Sequence, residues 1–473
     1  MRFDSSLYLI FLAVAVTVFW LIPARLRCIF VLVASAAFYA ASSLFLISVP
    51  IAVAGLLYLF SRKIVAVPDN GKFWVRMGIG ILVAQLLMFK YSGFLLQNVE
   101  QVVTAARHLN RCEKFGVPLG ISFFTFEAIS YLVDVRQKRI GRVSFIDLCI
   151  FMLFWPSVVA GPILRAREIV PQLRFRTNFE AHFIFGGLDR IIWGLVQKNV
   201  LANTLGVWVD RGFSARAMTP STFDSWLLAV AFALQIYFDF AAYSSIAIGA
   251  ARLLGITIPE NFRQPYHAAT PAEFWSRWHM SLSRWIRDYL FFPISARYKS
   301  AALPLYLSLI GVMGLVGLWH GAGWTFVVWG LIHGILLVLY RVYGTVAQSQ
   351  AGSFTKAPRE VWRVLTLVGV LAAWVPFRAS TLAKAFSFWS RMFMHFVAGT
   401  SYGMTAYVFT AAAVLFCIIE PWLAGKFSAA DMKLGTHGLN WGRIVLRPVA
   451  YCLGLLLFMI FDQQSAQFIY SKF

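Results

Sequence analysis

The sequence predicts an all-α, polytopic membrane protein, and three observations carry that prediction. Of its 473 residues, 60% are hydrophobic and only 13% charged, with a mean hydropathy of +0.71, whereas a soluble domain is about a quarter charged. Apolar runs of roughly 20 residues, the length that crosses about 30 Å of hydrocarbon, recur along the whole chain. No connecting segment reaches the length of an independent soluble domain. Any chemistry must therefore be done by polar residues within or beside the membrane.

Taken in order, about 11 candidate spans lie near Leu7–Pro23, Cys28–Ile47, Met77–Leu96, Phe145–Leu164, Phe183–Val200, Trp226–Leu254, Leu303–Leu318, Phe326–Tyr340, Val361–Trp374, Tyr402–Leu423 and Ile444–Phe461. Two shorter stretches, Val49–Phe60 and Val117–Val133, read as broken or re-entrant helices, which are tolerated where protein or a water-filled cavity covers the backbone. The first run imitates a secretory signal, with Ala34-Ser35-Ala36 in the guise of a cleavage site. Arg25 and Arg27 interrupt before that site and the apolar sequence resumes at once, so Leu7–Pro23 is read as a retained helix. The bias of Lys and Arg toward cytoplasmic loops places Arg25, Arg27, Arg62, Lys63, Lys72 and Arg76 inside and the amino terminus outside. Later loops are basic on both sides and give no orientation.

The charge balance, 42 Lys and Arg against 20 Asp and Glu, gives a formal +22 and a pI of about 10.1. No nucleic-acid-binding module accompanies it. Basic loops facing anionic lipid headgroups account for the charge, and the 17 Trp and 17 Tyr suit interfacial belts. Cys28, Cys112, Cys149, Cys417 and Cys452 are scattered, without metal-ligand or CxxC spacing, so neither a disulfide framework nor a bound metal is expected.

Polar residues within hydrocarbon are costly and mark function by default, and they concentrate between Gln235 and Gly334. In "LQIYFDFAAYSSIAIG" (234–249), Gln235, Asp239 and Tyr243 share one helix face, suited either to interhelical hydrogen bonding or to a site. In "NFRQPYHAATPAEFWSRWHMSLSRWIRDYLFFPI" (261–294), Thr270-Pro271-Ala272-Glu273 reads as a helix start. From there Phe274, Trp278, Leu282, Trp285, Tyr289 and Phe292 form one apolar stripe, with Arg277, Arg284 and Arg287 off it. An interfacial amphipathic helix is the simple interpretation. The sharper one adds that His279 and the arginines border a cavity for an anionic ligand. In "GLWHGAGWTFVVWGLIHG" (317–334), Gly317, Gly321 and Gly323 let the backbone around His320 approach another element or a ligand. A neutral imidazole there suits general-base chemistry. His333, beyond the glycine break, fits packing or hydrogen bonding better.

Six ordered blocks, "PLGISFFTFEAISYLVDV", "AGPILRA", "QIYFDFAAYSSIAIGAARLLG", "NFRQPY", "FWSRWHMSLSRWIRDYLFFP" and "GLWHGAGWTFVVWGLIHG", resemble the bacterial branch of the membrane-bound O-acyltransferase (MBOAT) superfamily that O-acetylates alginate, peptidoglycan and cellulose. The resemblance runs from about residue 5 to residue 473. It implies a single integral-membrane domain, with peripheral helices over 1–115, the catalytic core motifs over 116–343, carboxyl-terminal helices over 344–466 and an aromatic tail over 467–473. It also implies re-entrant and interfacial helices around a central funnel, where a cytoplasmic acyl donor meets an extracytoplasmic acceptor.

The resemblance puts His320 at the family's essential histidine and His279 at its second one, with Trp319, Asp239 and Asn261 on the substrate and donor side. Ser245 stands where the family usually has an acid. Arg277, Arg284 and Arg287 are our candidates for holding the phosphates of coenzyme A. The implied reaction moves acetyl groups from acetyl-CoA, a donor substrate and not a bound cofactor, across the bacterial inner membrane to a polysaccharide. The branch also implies a separate extracytoplasmic hydrolase-like acetyltransferase subunit as partner. The terminal "QFIYSKF" (467–473) resembles the branch's terminal tyrosine motif. Tyr470 is thereby expected to carry the acyl group in a ping-pong mechanism, against the simpler role of an aromatic anchor.

Two other classes compete. A solute transporter or polysaccharide exporter would also place polar groups at mid-membrane, but commonly shows repeated halves, and no internal repeat is visible. A membrane glycosyltransferase needs a sizeable cytoplasmic nucleotide-sugar domain, for which the chain has no room.

Overall fold

The computed structural model describes residues 3–100, 116–174, 177–214, 220–298, 302–349, 358–432 and 441–461. It is helical, with no strand among the described residues. Contacts divide the chain into two compact units, Met1–Ile191 with Tyr243–Glu260, and Ile192–Ala242 with Asn261–Phe473. Among the described residues, six helices are long and apolar enough to cross a membrane: Ser48–Ala66, Gly71–Leu96, Thr222–Leu253, Ala302–His320, Trp324–Val346 and Arg359–Arg378. Ser6–Leu21, Met404–Glu420 and Arg447–Phe461 are shorter apolar helices. Tyr470 and the rest of the aromatic tail lie outside the described residues.

In the first unit, Ser5 caps helix Ser6–Leu21 by accepting from the Tyr8 amide at 3.3 Å, and Pro23 turns the chain directly into helix Ala24–Ala40. Arg27, expected as a loop charge, is instead buried on that second helix. Its guanidinium lies over the rings of Phe19 and Trp20 and donates to Phe19 O at 3.1 Å and Thr177 O at 3.0 Å. Val49–Phe60, expected to be broken, belongs to the uninterrupted 19-residue helix Ser48–Ala66. Pro50 is harmless there because it falls in the first turn, whose amides have no intrahelical partner.

Phe145–Leu164 departs from expectation in the opposite sense. Its helix ends at Leu153, and residues 154–165 run as non-helical, almost wholly buried backbone, broken by Pro156, Gly161 and Pro162. Buried irregular backbone must find partners. Ser35 Oγ accepts from the Trp155 amide at 3.4 Å, and Glu127 Oε1 accepts from the Leu164 amide at 2.9 Å. Glu127 sits on helix Ile121–Arg136. Gly120, which precedes that helix, has φ +71°, and a Cβ there would come within 1.9 Å of Val158 O. Only glycine fits. Farther along the helix, buried Asp134 meets Arg139 and Arg167 at 3.4 and 3.5 Å. The "FEAISYLVDV" and "AGPILRA" blocks thus clasp each other.

The second unit holds most of the 32-residue helix Thr222–Leu253, which is too apolar all round to have a solvent face. It also contains a hairpin of Ala302–His320 and Trp324–Ser349. Glycines let these two helices touch backbone to backbone: a Cβ on Gly317 would lie 2.1 Å from Phe326 O, and one on Gly330 would lie 2.1 Å from Met313 O. Small residues drive such approach in membranes, where burial against lipid offers no hydrophobic gain.

Candidate active site

The site belongs to the second unit. Thr270 Oγ1 accepts from the Glu273 amide at 3.1 Å, and Glu273 Oε2 accepts from the Ala269 amide at 2.8 Å. With Pro271 at the first helical position, this is the helix start expected from Thr270-Pro271-Ala272-Glu273, and the return bond from Glu273 reaches the amide one residue before the cap. The helix it starts is short. The single amphipathic helix expected from the Phe274–Phe292 stripe is instead four pieces: Pro271–Arg277, Met280–Ile286, a π-helical turn Arg287–Phe291 and Phe292–Ser295. Phe274, Trp278 and Leu282 are core residues, while Phe292 is exposed. The chain breaks at His279, whose φ of +40° and ψ of 55° are left-handed. That conformation costs a residue with a Cβ roughly 1–2 kcal/mol, so the surroundings must hold it in place.

Asn261 does much of that. Its carbonyl accepts from the Met280 amide at 2.9 Å. Its Oδ1 takes the Ser281 amide at 3.3 Å, the Ser281 hydroxyl at 2.6 Å and His279 Nδ1 at 3.3 Å. The backbone amide can only donate, which fixes the orientation of the Asn261 side chain. An amide oxygen can only accept, so Nδ1 carries the imidazole proton and Nε2 keeps a lone pair. His279 is fully buried, and Nε2 has no hydrogen-bond partner among the described residues. A histidine held by a second group on one nitrogen, with the other nitrogen basic, is the arrangement of a positioned base.

Rings link this histidine to His320. His279 packs edge-on to Phe240 at 4.7 Å and lies 6.3 Å from Trp319, which in turn lies 4.8 Å from the His320 ring. His320 ends helix Ala302–His320, is 3% exposed, and packs edge-on to Trp329 at 5.0 Å and against Phe377 at 5.5 Å. The Gly321–Gly323 turn after it follows from sterics, since a Cβ on Gly321 would lie 2.2 Å from the Phe326 ring. His333 stacks on Phe274 at 5.8 Å and touches Trp275 and Trp329 at 5.1 and 4.9 Å, in the same ring cluster as His320.

The other expected residues are distributed differently. Asp239 forms a buried ion pair with Lys198 at 2.7 Å. Lys198 lies on the π-helical turn Gln197–Ala202, and such turns are frequent at functional sites. The sequence reading passed over Lys198, although a lysine within the Phe183–Val200 apolar run is itself the signal that finds it. Arg277 pairs with Glu273 at 2.7 Å, a carboxylate that also meets Arg359 at 3.5 Å. Partial burial works against the charge on Glu273, but the Ala269 amide and Arg277 outweigh it and hold its carboxyl below the usual range. Arg284 donates to Met280 O within its own helix at 3.2 Å, and half-exposed Arg287 pairs with Asp288 at 2.9 Å. Each arginine therefore has a local partner. Gln235 lies against Gly206 in the second unit, whereas Tyr243 packs on Phe3 at 4.7 Å in the first, and Ser245 is buried there.

The geometry is that of two buried histidines linked through Trp319 and walled by aromatic rings. Comparison with known proteins identifies the family. Residues 73–371 match the model of the membrane-bound O-acyltransferase (MBOAT) family. The chain is 34% identical over 403 residues to a protein of Azotobacter vinelandii described as probable alginate O-acetylase AlgI, covering 83% of this chain and 78% of that one. A protein of the same description from Pseudomonas putida is 32% identical over 511 residues and 100% of both chains. A peptidoglycan O-acetyltransferase of Helicobacter pylori is 33% identical over 357 residues, covering 69% of this chain and 66% of its own. The chain belongs to the membrane-bound O-acyltransferase family, in its bacterial O-acetylation branch, and is a multi-pass membrane O-acyltransferase.

Proposed function

We propose that the protein takes acetyl groups from cytoplasmic acetyl-CoA and passes them across the bacterial inner membrane for O-acetylation of an extracytoplasmic polysaccharide of the alginate, cellulose or peptidoglycan kind. The observation that carries this reading is that His279, held through Nδ1 by Asn261, is linked through the Trp319 ring to buried His320. A thioester is already activated, so transfer to a hydroxyl asks for a base, an oriented hydroxyl and exclusion of water. His320 removes the hydroxyl proton and returns it to the leaving thiolate. His279 orients or supports that exchange. Arginines of the Arg277–Arg287 segment meet the phosphates of coenzyme A, exchanging local partners, carboxylates for Arg277 and Arg287 and the Met280 carbonyl for Arg284, for a ligand.

In this reading the acetyl group reaches the outside on Tyr470 and is handed to a separate hydrolase-like acetyltransferase subunit, since no Ser-His-Asp arrangement is recognisable in the sequence. Purified protein in vesicles tests the first part. Release of free coenzyme A from acetyl-CoA supports the acyltransferase, and solute flux without thioester loss supports an exporter. The second part is tested by intact mass after incubation with acetyl-CoA alone. An added acetyl of about 42 Da on the terminal peptide is expected in the native protein and not in Tyr470→Phe. Unchanged polymer acetylation by Tyr470→Phe returns the tail to the role of an aromatic anchor.

A further inference from the structure

The ring cluster next to His320 has a chemical bias that packing alone does not explain. Trp278, Trp329 and Trp374 are fully buried and Trp275 is 9% exposed. None of their four indole N–H groups has an acceptor among the described residues. They are not scattered: Trp275 lies 5.9 Å from Trp329, Trp329 stacks on Trp374 at 5.7 Å, and Trp374 lies 5.0 Å from Trp278. Trp329 also meets the His320 ring at 5.0 Å. A buried tryptophan normally finds a partner for its N–H, because an unmade hydrogen bond forfeits the solvation that the group had in water. Half-buried Trp389 in the same unit does so, donating to Ala372 O at 2.9 Å, while Trp155 in the first unit is a lone buried exception. Four omissions in one cluster beside the candidate base are a pattern.

An indole N–H donates and never accepts, so the cluster selects for an acceptor oxygen. Its walls are aromatic, and in such low-dielectric surroundings a fixed donor acts strongly on developing negative charge. We propose that the Trp329 indole N–H, with Trp278 and Trp374 as the surrounding donors, binds the carbonyl oxygen of the acyl group in transfer and stabilises the oxyanion that forms there. This rests on the thioester reading above.

In the step, the acceptor hydroxyl gives its proton to His320 and its oxygen bonds to the acyl carbon. The carbonyl π pair moves onto the oxygen held by Trp329. As that pair returns to re-form the carbonyl, the carbon–sulfur bond breaks and the thiolate takes the proton from the imidazolium. The products are an ester and free thiol, and His320 is neutral again.

The test replaces the Trp329 indole by benzothiophene through genetic-code expansion, which keeps the bicyclic shape and puts sulfur where the N–H was. The expected result is a kcat for acetyl transfer lower by about 10²–10³, the effect of removing one such donor. The half-saturating acetyl-CoA concentration should stay within about twofold and thermal unfolding should not move. The same replacement at Trp389 should do the reverse, lowering the unfolding temperature and sparing kcat. A second readout needs no turnover: the ketone stretch of bound S-acetonyl-coenzyme A should lie lower in the native protein than in the Trp329 variant. Full kcat in the Trp329 variant, with an unmoved ketone stretch, overturns the proposal and leaves the acyltransferase reading standing. A native protein that neither cleaves acetyl-CoA nor binds the ketone analogue removes the thioester reading itself, and this proposal with it.

Discussion

Two sets of buried polar groups, the carboxylates Glu127 and Asp134 in the first unit and the rings around His279 and His320 in the second, are treated in opposite ways. Glu127 and Asp134 in the first are buried, and each is engaged by the chain itself, Glu127 by the Leu164 amide at 2.9 Å and Asp134 by Arg139 and Arg167. In the second, His279 Nε2 and the indole N–H groups of Trp275, Trp278, Trp329 and Trp374 are equally buried and lack such partners among the described residues. A satisfied buried group fixes structure, since its hydrogen-bonding capacity is spent on the fold. Beside two histidines, capacity left unspent is what a ligand or a transition state can use. The contrast predicts that substitutions in the first unit change stability and those around His279 and His320 change turnover.

The Lys198–Asp239 pair is where that contrast is easiest to break, because it is satisfied and yet lies in the second unit. Asp239→Asn should cost about 3–5 kcal/mol, as expected when a buried charge loses its partner, read from unfolding in detergent. Lys198→Met combined with Asp239→Leu should restore much of that stability. If turnover returns with it, the pair is architecture; if turnover stays lost in a stable protein, the pair belongs to the site.

His320→Ala follows in size. Acyl transfer should fall at least ~100-fold, the lower end of what a positioned general base supplies, with membrane insertion unchanged. Near-normal turnover would move the base to His279, whose tautomer Asn261 already fixes. Glu127→Ala should show the complementary signature, a loss of about 1–3 kcal/mol for the orphaned Leu164 amide and an unchanged kcat in the protein that remains folded. A collapse of kcat at full stability would place the clasp between the "FEAISYLVDV" and "AGPILRA" blocks in the chemistry. The smallest effect is expected at His333, which stacks on Phe274 within the ring cluster. His333→Ala should slow transfer by less than about tenfold, under about 1.4 kcal/mol of barrier, and complete loss would exchange the roles of the two histidines on this hairpin.

Composition determined the class on its own, because 60% hydrophobic residues with 13% charged have no stable solution in water. The order of motifs, the glycines around His320 and the helix start at Thr270 were legible for the same kind of reason: each is a local constraint between residues close in sequence. Two helix boundaries that failed were set by distant partners. Phe145–Leu164 is apolar enough to span, yet its second half abandons the helix because Glu127 and Ser35 supply partners to its backbone. The stripe from Phe274 to Phe292 has helical spacing, yet the chain breaks at His279 because Asn261, 18 residues earlier, holds it there. Tertiary structure alone decided that Asp239 answers Lys198, that Glu273 also meets Arg359, and that four indoles gather beside His320 with their N–H groups uncommitted. Hydropathy measures the transfer of one residue at a time, whereas a hydrogen bond, an ion pair or a ring contact exists only between two, and in this chain the partners that make the site are separated by tens of residues.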